Sequence, residues 1–331
     1  MHHVKLGRTG LRVSELCLGT MTFGLQCDED TSFSIMDAAF DAGIDFLDTA
    51  DVYPLGGEGE IRGRTEEIVG KWMKGKRDQV VIATKCVGPM GGKPWHVGMS
   101  RKHVLDAIDE SLRRLQTDYV DLYQLHADDP STPLDEVLGA LDTVVQSGRA
   151  RYVGVSNWLA YRLALAVGRS EARGLVRFDS VQPRYNLLFR QIERELLPLC
   201  LDEGIGVIPY NPIAGGLLSG KHRGASAEPE AGTRFTLGNA GPVYRQRYWH
   251  DREFETVEAL RGLADEAGTS LVTLAVGWVA AHPAVTAPII GASRPDQLAD
   301  SVAATETKLD ADLKAQLDEL THDYRMGDAL R

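Results

Sequence analysis

Short apolar runs alternate with longer amphipathic segments along most of the chain. The runs are typical of buried strands and centre on Leu18, Phe46, Ile82, Leu122, Val153, Val181, Val207 and Ile289. Between them the pattern predicts helices at about 31–42, 63–75, 100–116, 133–146, 159–170 and 190–203. Parallel strands need crossover helices of this kind, and eight such units close into a barrel. The pattern therefore predicts an α/β fold, a (β/α)8 TIM barrel that forms a single domain over residues 1–331.

Capping residues mark several ends of the predicted helices. Asp30 is the predicted N-cap of the first helix, which stops at Gly43, and Ser100 caps the third. Gly204 ends the helix at 190–203, immediately before the run GVIPYNP. A doubly wound open sheet is the alternative fold. It is disfavoured because no GxGxxG motif follows the first strand, where a bound dinucleotide would need one.

Three segments depart from the alternation. Residues 4–19 carry two short alternating runs broken at GRTG, which predicts an N-terminal β-hairpin leading into the first barrel strand.

Residues 222–249 form a long loop after the seventh strand with no helical or strand period. Long ordered loops in barrels are commonly lids, and the arginines and aromatics of this loop favour a cover for a ligand over a solvated insertion. A polar C-terminal helix from near Asp310 and a short tail complete the prediction.

Composition and charge narrow the range of functions. Hydrophobic residues make up 43% and charged residues 25% of the 331 positions, as in a globular protein with a sizeable core. The net charge of −11 argues against a general nucleic-acid or anionic-membrane surface, because both prefer basic patches. No apolar stretch approaches about 18 residues and the N-terminus lacks an apolar leader region, so we expect neither a membrane span nor export.

The cysteines indicate in which cellular compartment the protein is expected. Cys17, Cys27, Cys86 and Cys200 lie far apart, with no CxxC pair and no histidine at metal-ligand spacing. Isolated thiols in a chain of this size are typical of reduced cysteines in the cytosol. We therefore expect a cytoplasmic protein without a bound metal.

Four titratable residues fall at or just beyond the carboxyl ends of consecutive predicted strands. Asp48 ends the second strand with Tyr53 shortly after it, Lys85 ends the third and His126 the fourth. Alone, each is more typical of an ordinary loop or rim residue. In parallel barrels, however, the carboxyl ends of the strands face one shared pocket. The four residues together therefore indicate a catalytic site.

The residue types suit hydride addition to a carbonyl group. A phenol has a pKa of about 10, and a nearby ammonium favours the phenolate and is expected to lower that pKa. Asp48 would hold Lys85 charged and oriented, and Lys85 would lower the pKa of Tyr53. His126 would contact the substrate oxygen, stabilising the developing alkoxide or steering it towards Tyr53. Asp51, in the same stretch, has no evident partner and is expected to be a solvated loop carboxylate.

These residues, in this order, resemble the aldo-keto reductases. The resemblance runs from Val4 to the last helix and rests on KLGRTGLRVSELCLGTMTFG, DFLDTADVY, ATK, DLYQLH, GVSN, QPRYNLL, GVIPYNPIAGGLLSGK and IIGASRPDQL. The chain looks most like the bacterial general aldo/keto reductase branch, related to potassium-channel β-subunits and aryl-alcohol dehydrogenases. This resemblance implies an NADP-dependent oxidoreductase that reduces aldehydes and ketones. It makes Tyr53 the general acid, with Asp48, Lys85 and His126 completing a catalytic tetrad.

The resemblance also implies NADPH bound extended across the barrel rim, with NADH as an alternative cofactor. Ser156, Asn157 and Gln182 would hold the nicotinamide carboxamide, and Tyr210 would stack on the ring. The loop 211–221 would wrap the pyrophosphate, because its glycines let backbone amides approach phosphates. The implied contacts are Gly19, Thr20, Met21, Asp48, Ser156, Asn157, Gln182, Tyr210, Asn211, Pro212, Ile213, Gly215, Leu217, Gly220, Lys221, Arg234, Ile290, Gly291, Ser293, Arg294 and Gln297.

The end of the eighth strand is expected to bind the adenosine half of the cofactor. Ser293 and Arg294 open a helix whose N-terminus suits an anion, and the arginine can pair with a 2′-phosphate while Gln297 reaches the adenine. Two positions depart from the family pattern. Asn211 stands where relatives usually have Ser, which changes the hydrogen bonds to the phosphate. Ser301 stands where they usually have Asn, which could loosen adenine recognition.

The substrate is less constrained than the cofactor. Trp95, His96, Trp158 and the lid aromatics are candidates for an apolar pocket wall, which would suit aromatic aldehydes such as nitrobenzaldehydes. Each is equally compatible with an ordinary packed loop aromatic.

Other functions and assemblies stay open at this point. The chain could be a cofactor-sensing regulatory subunit, as some relatives are for ion channels, or a dehydrogenase that mainly oxidises an alcohol or sugar. A barrel lyase or aldolase would use Lys85 as a Schiff-base amine, although Asp48 should keep that amine charged. A homo-oligomer is also open.

Overall fold

The computed structural model describes residues 1–57, 59–307 and 309–326. The N-terminal hairpin pairs β1 (His3–Lys5) antiparallel with β2 (Arg12–Ser14), as predicted. Within the described ranges, one parallel sheet then contains β3 (Cys17–Gly19), β4 (Phe46–Asp48), β5 (Val81–Cys86), β6 (Val120–Leu125), β7 (Ala150–Ser156), β8 (Ser180–Gln182), β9 (Gly206–Val207) and β10 (Ile289–Ile290). The strands lie in chain order, and β10 lies beside β3.

Backbone contacts between the last two strands close this sheet. The amide of Thr286 donates to the carbonyl of Val207 at 2.7 Å, and the amide of Ile289 donates to that of Pro209 at 2.8 Å. These bonds join β9 to β10, so the curled sheet has the predicted (β/α)8 TIM-barrel architecture.

The helices surround the sheet. They are α1 (Glu29–Asp41), α2 (Arg64–Trp72), α3 (Arg101–Leu115), α4 (Leu134–Gln146), α5 (Ala160–Arg173), α6 (Leu196–Glu203), α7 (Ala240–Tyr248), α8 (Asp251–Glu266), α9 (Leu271–Ala280), α10 (Leu298–Ala303) and α11 (Ala311–Leu320). In the parts of the chain that are described, no helix combines the length and the apolar character needed to cross a bilayer.

Alternation along the strands separates two apolar regions. Phe46 and Leu122 point into the barrel, where they pack with Leu6 of the hairpin in one fully buried cluster. Neighbouring strand residues such as Leu47 and Tyr123 point outward and pack in the larger layer between strands and helices. The hairpin therefore closes the amino-terminal end of the barrel and leaves the carboxyl end open.

The four cysteines are buried and unpaired. This agrees with the expectation of isolated thiols, while the cytoplasmic location stays a prediction.

Several predicted boundaries need correction. Asp28, not Asp30, is the N-cap of α1, since its carboxylate accepts the amide of Thr31 at 2.8 Å. Ser100 caps α3 as predicted. The helix predicted at 190–203 is a 3-10 turn followed by α6, because Glu195 has an extended φ of −139° that interrupts helical geometry.

The long loop 222–249 is more regular than its sequence pattern suggests. It contains a 3-10 turn, Arg234–Thr236, and the helix α7. Tyr244 and Tyr248 of α7 are buried, so tertiary packing rather than an amphipathic pattern stabilises this helix. The helices α8 and α9 follow it in a region where the sequence pattern named no helix. The predicted C-terminal helix is confirmed as α11, capped by Asp310, and the predicted tail at 327–331 lies outside the described residues.

A buried ion pair joins the helices α2 and α3. Arg114 of α3 donates from Nε to Oε2 of Glu66 on α2 at 2.7 Å, and both side chains are nearly or fully buried. Glu66 also accepts a short hydrogen bond from the hydroxyl of Thr84 on β5. This arrangement ties α2, α3 and the sheet together.

Replacing Arg114 with Met should lower the free energy of unfolding by about 3–5 kcal/mol, because Glu66 would stay buried without its counter-ion. The neighbouring Arg113, which is 66% exposed, provides the control: its replacement with Met should cost less than about 1 kcal/mol. Urea unfolding followed by circular dichroism measures both. Equal losses for the two variants would contradict a special role for the buried pair.

Candidate active site

Inward-facing positions near the carboxyl ends of the strands are polar. Asp48 lies two residues beyond Phe46 on β4, and Gln124 lies two residues beyond Leu122 on β6. Because side chains alternate along a strand, each polar residue faces the barrel interior above an apolar one. A polar layer thus lies on top of the apolar core.

Asp48 and Lys85 form a buried ion pair in this layer. Nζ of Lys85 lies 2.5 Å from Oδ1 of Asp48 and also donates to the carbonyl of Thr49 at 2.8 Å. Burial lowers the pKa of Lys85, but Asp48 and then Tyr53 raise it, and the net shift is upward. Asp48 therefore keeps Lys85 charged, as predicted.

Two amides hold the second oxygen of Asp48. Nε2 of Gln182 donates to Oδ2 at 2.9 Å, and Nε2 of Gln124 donates to it at 3.1 Å. Sequence reasoning missed Gln124. The signal that could have found it is its spacing of two residues from His126, which puts both on the inward side of one strand and its extension.

Tyr53 and His126 lie above the ion pair. Nζ of Lys85 is 4.9 Å from the centre of the Tyr53 ring. The rings of Tyr53 and His126 meet edge to face at 5.6 Å between centroids. The structure thus brings together all four residues of the predicted tetrad. Lys85 is fully buried beneath the cleft, whereas the other three line it.

The pKa of Tyr53 differs from the expectation. Burial raises it most, Lys85 lowers it, and the net shift is upward rather than downward. The predicted influence of Lys85 is present, but desolvation of the phenolate outweighs it. Tyr53 therefore holds its proton firmly at neutral pH.

His126 is neutral at physiological pH. Burial lowers its pKa to about 3, and the nearby charge of Lys85 contributes in the same direction. A neutral imidazole keeps one N–H donor, so His126 can donate a hydrogen bond to an oxygen atom in the cleft.

A cleft of about 900 Å³ opens above these side chains. Most of the predicted cofactor contacts line it: Gly19, Thr20, Met21, Asp48, Ser156, Asn157, Gln182, Tyr210, Asn211, Pro212, Ile213, Gly215, Lys221, Arg234, Ile290, Gly291, Ser293, Arg294 and Gln297. Leu217 and Gly220 do not line it, because Leu217 packs into the core and Gly220 faces Arg261 of α8.

Asn157 organises the floor of the cleft beside the tetrad. Its backbone has a positive φ of 61°. Its Nδ2 donates to the carbonyl of His126 at 3.1 Å, and its Oδ1 accepts the hydroxyl of Tyr210 at 2.8 Å. Ser156 bonds in turn to the carbonyl of Gln182 at 2.9 Å. The residues predicted to hold a nicotinamide are therefore braced against one another.

The loop after β9 presents an open glycine turn to the cleft. Gly215 and Gly216 have positive φ values of 69° and 102°, a conformation that favours glycine. At Gly216 no atom lies within 4 Å of where a Cβ would stand, so the backbone is open to a ligand. Nδ2 of Asn211 and Nη1 of Arg234 are buried donors without hydrogen-bond partners in the described chain, and both residues line the cleft. Unsatisfied donors beside an open glycine turn fit a pyrophosphate.

The predicted adenosine end carries its own hydrogen bonds. Oε1 of Gln297 accepts the backbone amide of Ser293 at 2.8 Å. Arg294 is largely exposed and pairs with Asp296 at 3.2 Å, so its guanidinium stands at the mouth of the cleft. Ser301 is buried and also lines this end.

The tryptophans predicted near the tetrad do not line the cleft. Trp158 is buried against Phe178 at 5.3 Å, and Trp95 stacks edge to face on His96 at 6.0 Å and is 46% exposed. The loop 222–249, called the lid below, supplies an aromatic side chain to the cleft wall instead, because Tyr244 of α7 faces the cleft.

Asp51 is not the solvated carboxylate that its sequence position suggested. It is fully buried, and neither carboxylate oxygen has a hydrogen-bond partner in the ranges described. Burial and then the charge of Glu66 raise its pKa well above the usual value, while Arg114 opposes the rise. Asp51 therefore lies beside the buried Glu66–Arg114 pair, and its amide donates to the carbonyl of Lys85 at 3.1 Å.

The chain belongs to the Aldo/keto reductase family, whose model matches residues 15–322. The barrel and the grouped Asp48, Tyr53, Lys85 and His126 agree with the resemblance drawn from the sequence. Membership in this family supports an oxidoreductase role.

Similar proteins extend this result. The chain is 41% identical to an uncharacterized oxidoreductase, YrpG, of Bacillus subtilis, over 97% of this chain and 96% of that protein. It is 37% identical to a probable voltage-gated potassium channel subunit beta of rice, over 92% of each. It is 35% identical to the versiconal hemiacetal acetate reductase of Aspergillus parasiticus, over 93% and 94%.

Replacing Asp51 with Asn tests the protonation of this buried carboxyl. Because the folded-state pKa of Asp51 is raised, wild-type stability is full below the unfolded pKa of about 4 and falls as pH rises towards the folded value. Across that interval the free energy of unfolding of the wild type falls by about 1.4 kcal/mol per pH unit. Asn does not ionise, so the variant lacks this loss. Its free energy of unfolding minus that of the wild type, measured by urea unfolding, should therefore increase between pH 5 and pH 8.

Asp129→Asn is the control for that experiment. Hydrogen bonds from Ser131 and Thr132 outweigh burial and hold the pKa of Asp129 at about 2. The difference in unfolding free energy between Asp129→Asn and the wild type should therefore stay constant between pH 5 and 8. A constant difference for Asp51→Asn as well would mean that Asp51 is ionised in the folded protein throughout this range.

Proposed function

We propose that this protein reduces aldehydes or ketones to alcohols with NADPH, and that Tyr53 protonates the carbonyl oxygen. The observation that carries this proposal is the stack of groups at the cleft floor. A charged Lys85, held by Asp48, lies under the Tyr53 ring, and the neutral His126 lies across from that ring.

Tyr53 is suited to give up its proton only when negative charge develops next to it. Burial raises its pKa, so it is protonated before the reaction. The ammonium of Lys85 stabilises the phenolate that forms afterwards. The raised pKa of Lys85 keeps that charge present throughout the neutral range.

His126 would orient the substrate rather than protonate it. With a pKa of about 3 it carries no charge, and its N–H can donate to the carbonyl oxygen. The hydrogen bond from Asn157 to the carbonyl of His126 fixes the chain at this position. Tyr53 and His126 would therefore approach one oxygen from two sides.

The cleft supports a nicotinamide dinucleotide. When bound, this cofactor supplies the hydride for the carbonyl carbon. Asn157 and Tyr210 would position the nicotinamide end, while Asn211 and Arg234 would bind the pyrophosphate through donors that are otherwise unsatisfied. Arg294, at the open end, would pair with the 2′-phosphate and favour NADPH over NADH.

A regulatory, cofactor-sensing role is the second candidate. It rests on the 37% identity to the protein named as a probable potassium channel subunit beta. Cofactor binding without turnover of any carbonyl or alcohol would favour it, and net oxidation of alcohols would favour a dehydrogenase. The Schiff-base alternative is disfavoured, because Lys85 is charged, fully buried and already bonded to Asp48 and Thr49.

Replacing Tyr53 with Phe should lower kcat/KM for 4-nitrobenzaldehyde by about 100-fold or more, since it removes the donated proton and keeps the ring. The Kd for NADPH, measured by fluorescence quenching, should change by less than about threefold, because the hydroxyl serves the reaction rather than the cofactor. Tyr161→Phe, on the exposed part of α5, is the matched control and should leave both values unchanged. Turnover retained in Tyr53→Phe would assign the proton to another group.

Replacing Arg294 with Ala should weaken NADPH binding by about tenfold or more, because a charge-assisted contact to the 2′-phosphate is lost. NADH lacks this phosphate, so its Kd should not change. Titration calorimetry with both cofactors measures the difference, and Arg113→Ala, on α3 outside the cleft, is the charge control. Tighter binding of NADH than NADPH by the wild-type protein would refute the role given to Arg294.

A further inference from the structure

Two cationic side chains of the cleft make no contact in the proposed cofactor site. The lining of the cleft includes five cationic side chains, namely Arg62, Lys221, Arg234, Arg247 and Arg294. Its acidic side chains are Asp48, Glu230 and Asp300, and Asp48 is already neutralised by Lys85. The lining is therefore locally positive, although the whole chain has a net charge of −11. Lys221, Arg234 and Arg294 serve the proposed cofactor phosphates, which leaves Arg62 and Arg247 without a function.

Arg62 stands in the wall of the cleft next to Tyr53. The amide of the following residue, Gly63, donates to the carbonyl of Tyr53 at 2.9 Å, so Arg62 is tied to the catalytic loop. Its Nη1 donates to the carbonyl of Pro89, another lining residue. Among residues 1–57, 59–307 and 309–326, no acidic side chain forms a salt bridge with Arg62. It is half-buried, so its charge is only partly solvated.

Arg247 faces the same end of the cleft from the lid. Ala240, Val243, Tyr244 and Arg247 follow one another at helical spacing along α7, and all four line the cleft. Tyr244 on this face lies close enough to Tyr53 to influence its pKa. The charge of Arg247 reaches Tyr210, where it opposes the upward effect of burial on the pKa. Arg247 is half-buried, and within the described ranges no carboxylate pairs with it.

We propose that the Tyr53 end of the cleft binds carbonyl compounds that carry a carboxylate, and that Arg62 and Arg247 recognise this carboxylate. The proposal rests on the proposed reductase function and defines its substrate class. A guanidinium presents paired donors that match the two oxygens of a carboxylate. Tyr244, whose ring centre lies 5.9 Å from the guanidinium carbon of Arg247, supplies an aromatic surface to the same lining, so an aldehyde acid with a flat, apolar middle fits it.

A substrate pair that differs chiefly in charge tests the proposal, and the comparison between protein variants cancels the intrinsic difference in reactivity of the two compounds. Wild-type kcat/KM with NADPH should be about tenfold or more higher for 4-formylbenzoate than for its neutral methyl ester, because a charge-assisted contact has roughly that value. Added NaCl should reduce the ratio through screening. The ratio of the two kcat/KM values should fall towards one in Arg62→Gln and in Arg247→Met. Glutamine at position 62 can still donate to the carbonyl of Pro89. Arg113→Met, which removes an exposed charge outside the cleft, should keep it.

Several outcomes would overturn the proposal. A wild-type ratio near one would do so, as would a ratio that the double variant Arg62→Gln and Arg247→Met leaves unchanged. An equal loss of activity on both substrates would show that Arg62 only braces the loop at Pro89.

A binding measurement separates this proposal from the proposed reductase function. Benzoate should bind the full chain, with and without NADP+, more tightly than neutral benzamide in titration calorimetry, and the difference should disappear in the two arginine variants. If no carbonyl compound is reduced but this difference is present, the reductase function fails and the carboxylate site stands. If carbonyl compounds are reduced but benzoate shows no preference, the carboxylate site fails and the reductase function stands.

Discussion

The buried ion pair between Asp48 and Lys85 is the interaction on which the rest of this site depends. Removing two charges from water is costly, and the cost is offset only when the remaining hydrogen-bonding groups also find partners. Those partners come from separate strands: Lys85 lies on β5, Asp48 on β4, Gln124 on β6 and Gln182 on β8. The pair therefore has all of these partners only when the four strands are aligned in the barrel, so the site depends on the complete fold.

The same pair determines the protonation of its neighbours. Lys85 holds its charge and helps to keep His126 neutral, and it opposes the effect of burial on the pKa of Tyr53. Burial would otherwise make a phenolate at Tyr53 more costly still. In the proposed reaction, Tyr53 would retain its proton until it is needed and Lys85 would stabilise the phenolate that is left.

The lid over the cleft is held largely by its own side chains. Phe235 and Trp249 pack at 4.7 Å, and His222 packs on both rings at 5.1 Å. Gln26 also donates to the carbonyl of Gly232 at 2.6 Å, across the cleft mouth. This packing holds the segment that carries α7, whose residues Ala240, Val243, Tyr244 and Arg247 line the cleft.

The sequence by itself determined the barrel, the order of its strands and the grouping of Asp48, Tyr53, Lys85 and His126, because these follow from local periodicity and from the shared rim of parallel strands. Only the tertiary structure decided the helix α7, the exclusion of Trp158 from the cleft, the role of Gln124 and the burial of Asp51. Each of these depends on contacts between residues far apart in the chain. The raised pKa of Tyr53 likewise reflects its burial among residues from several elements, a property that no single stretch of sequence contains.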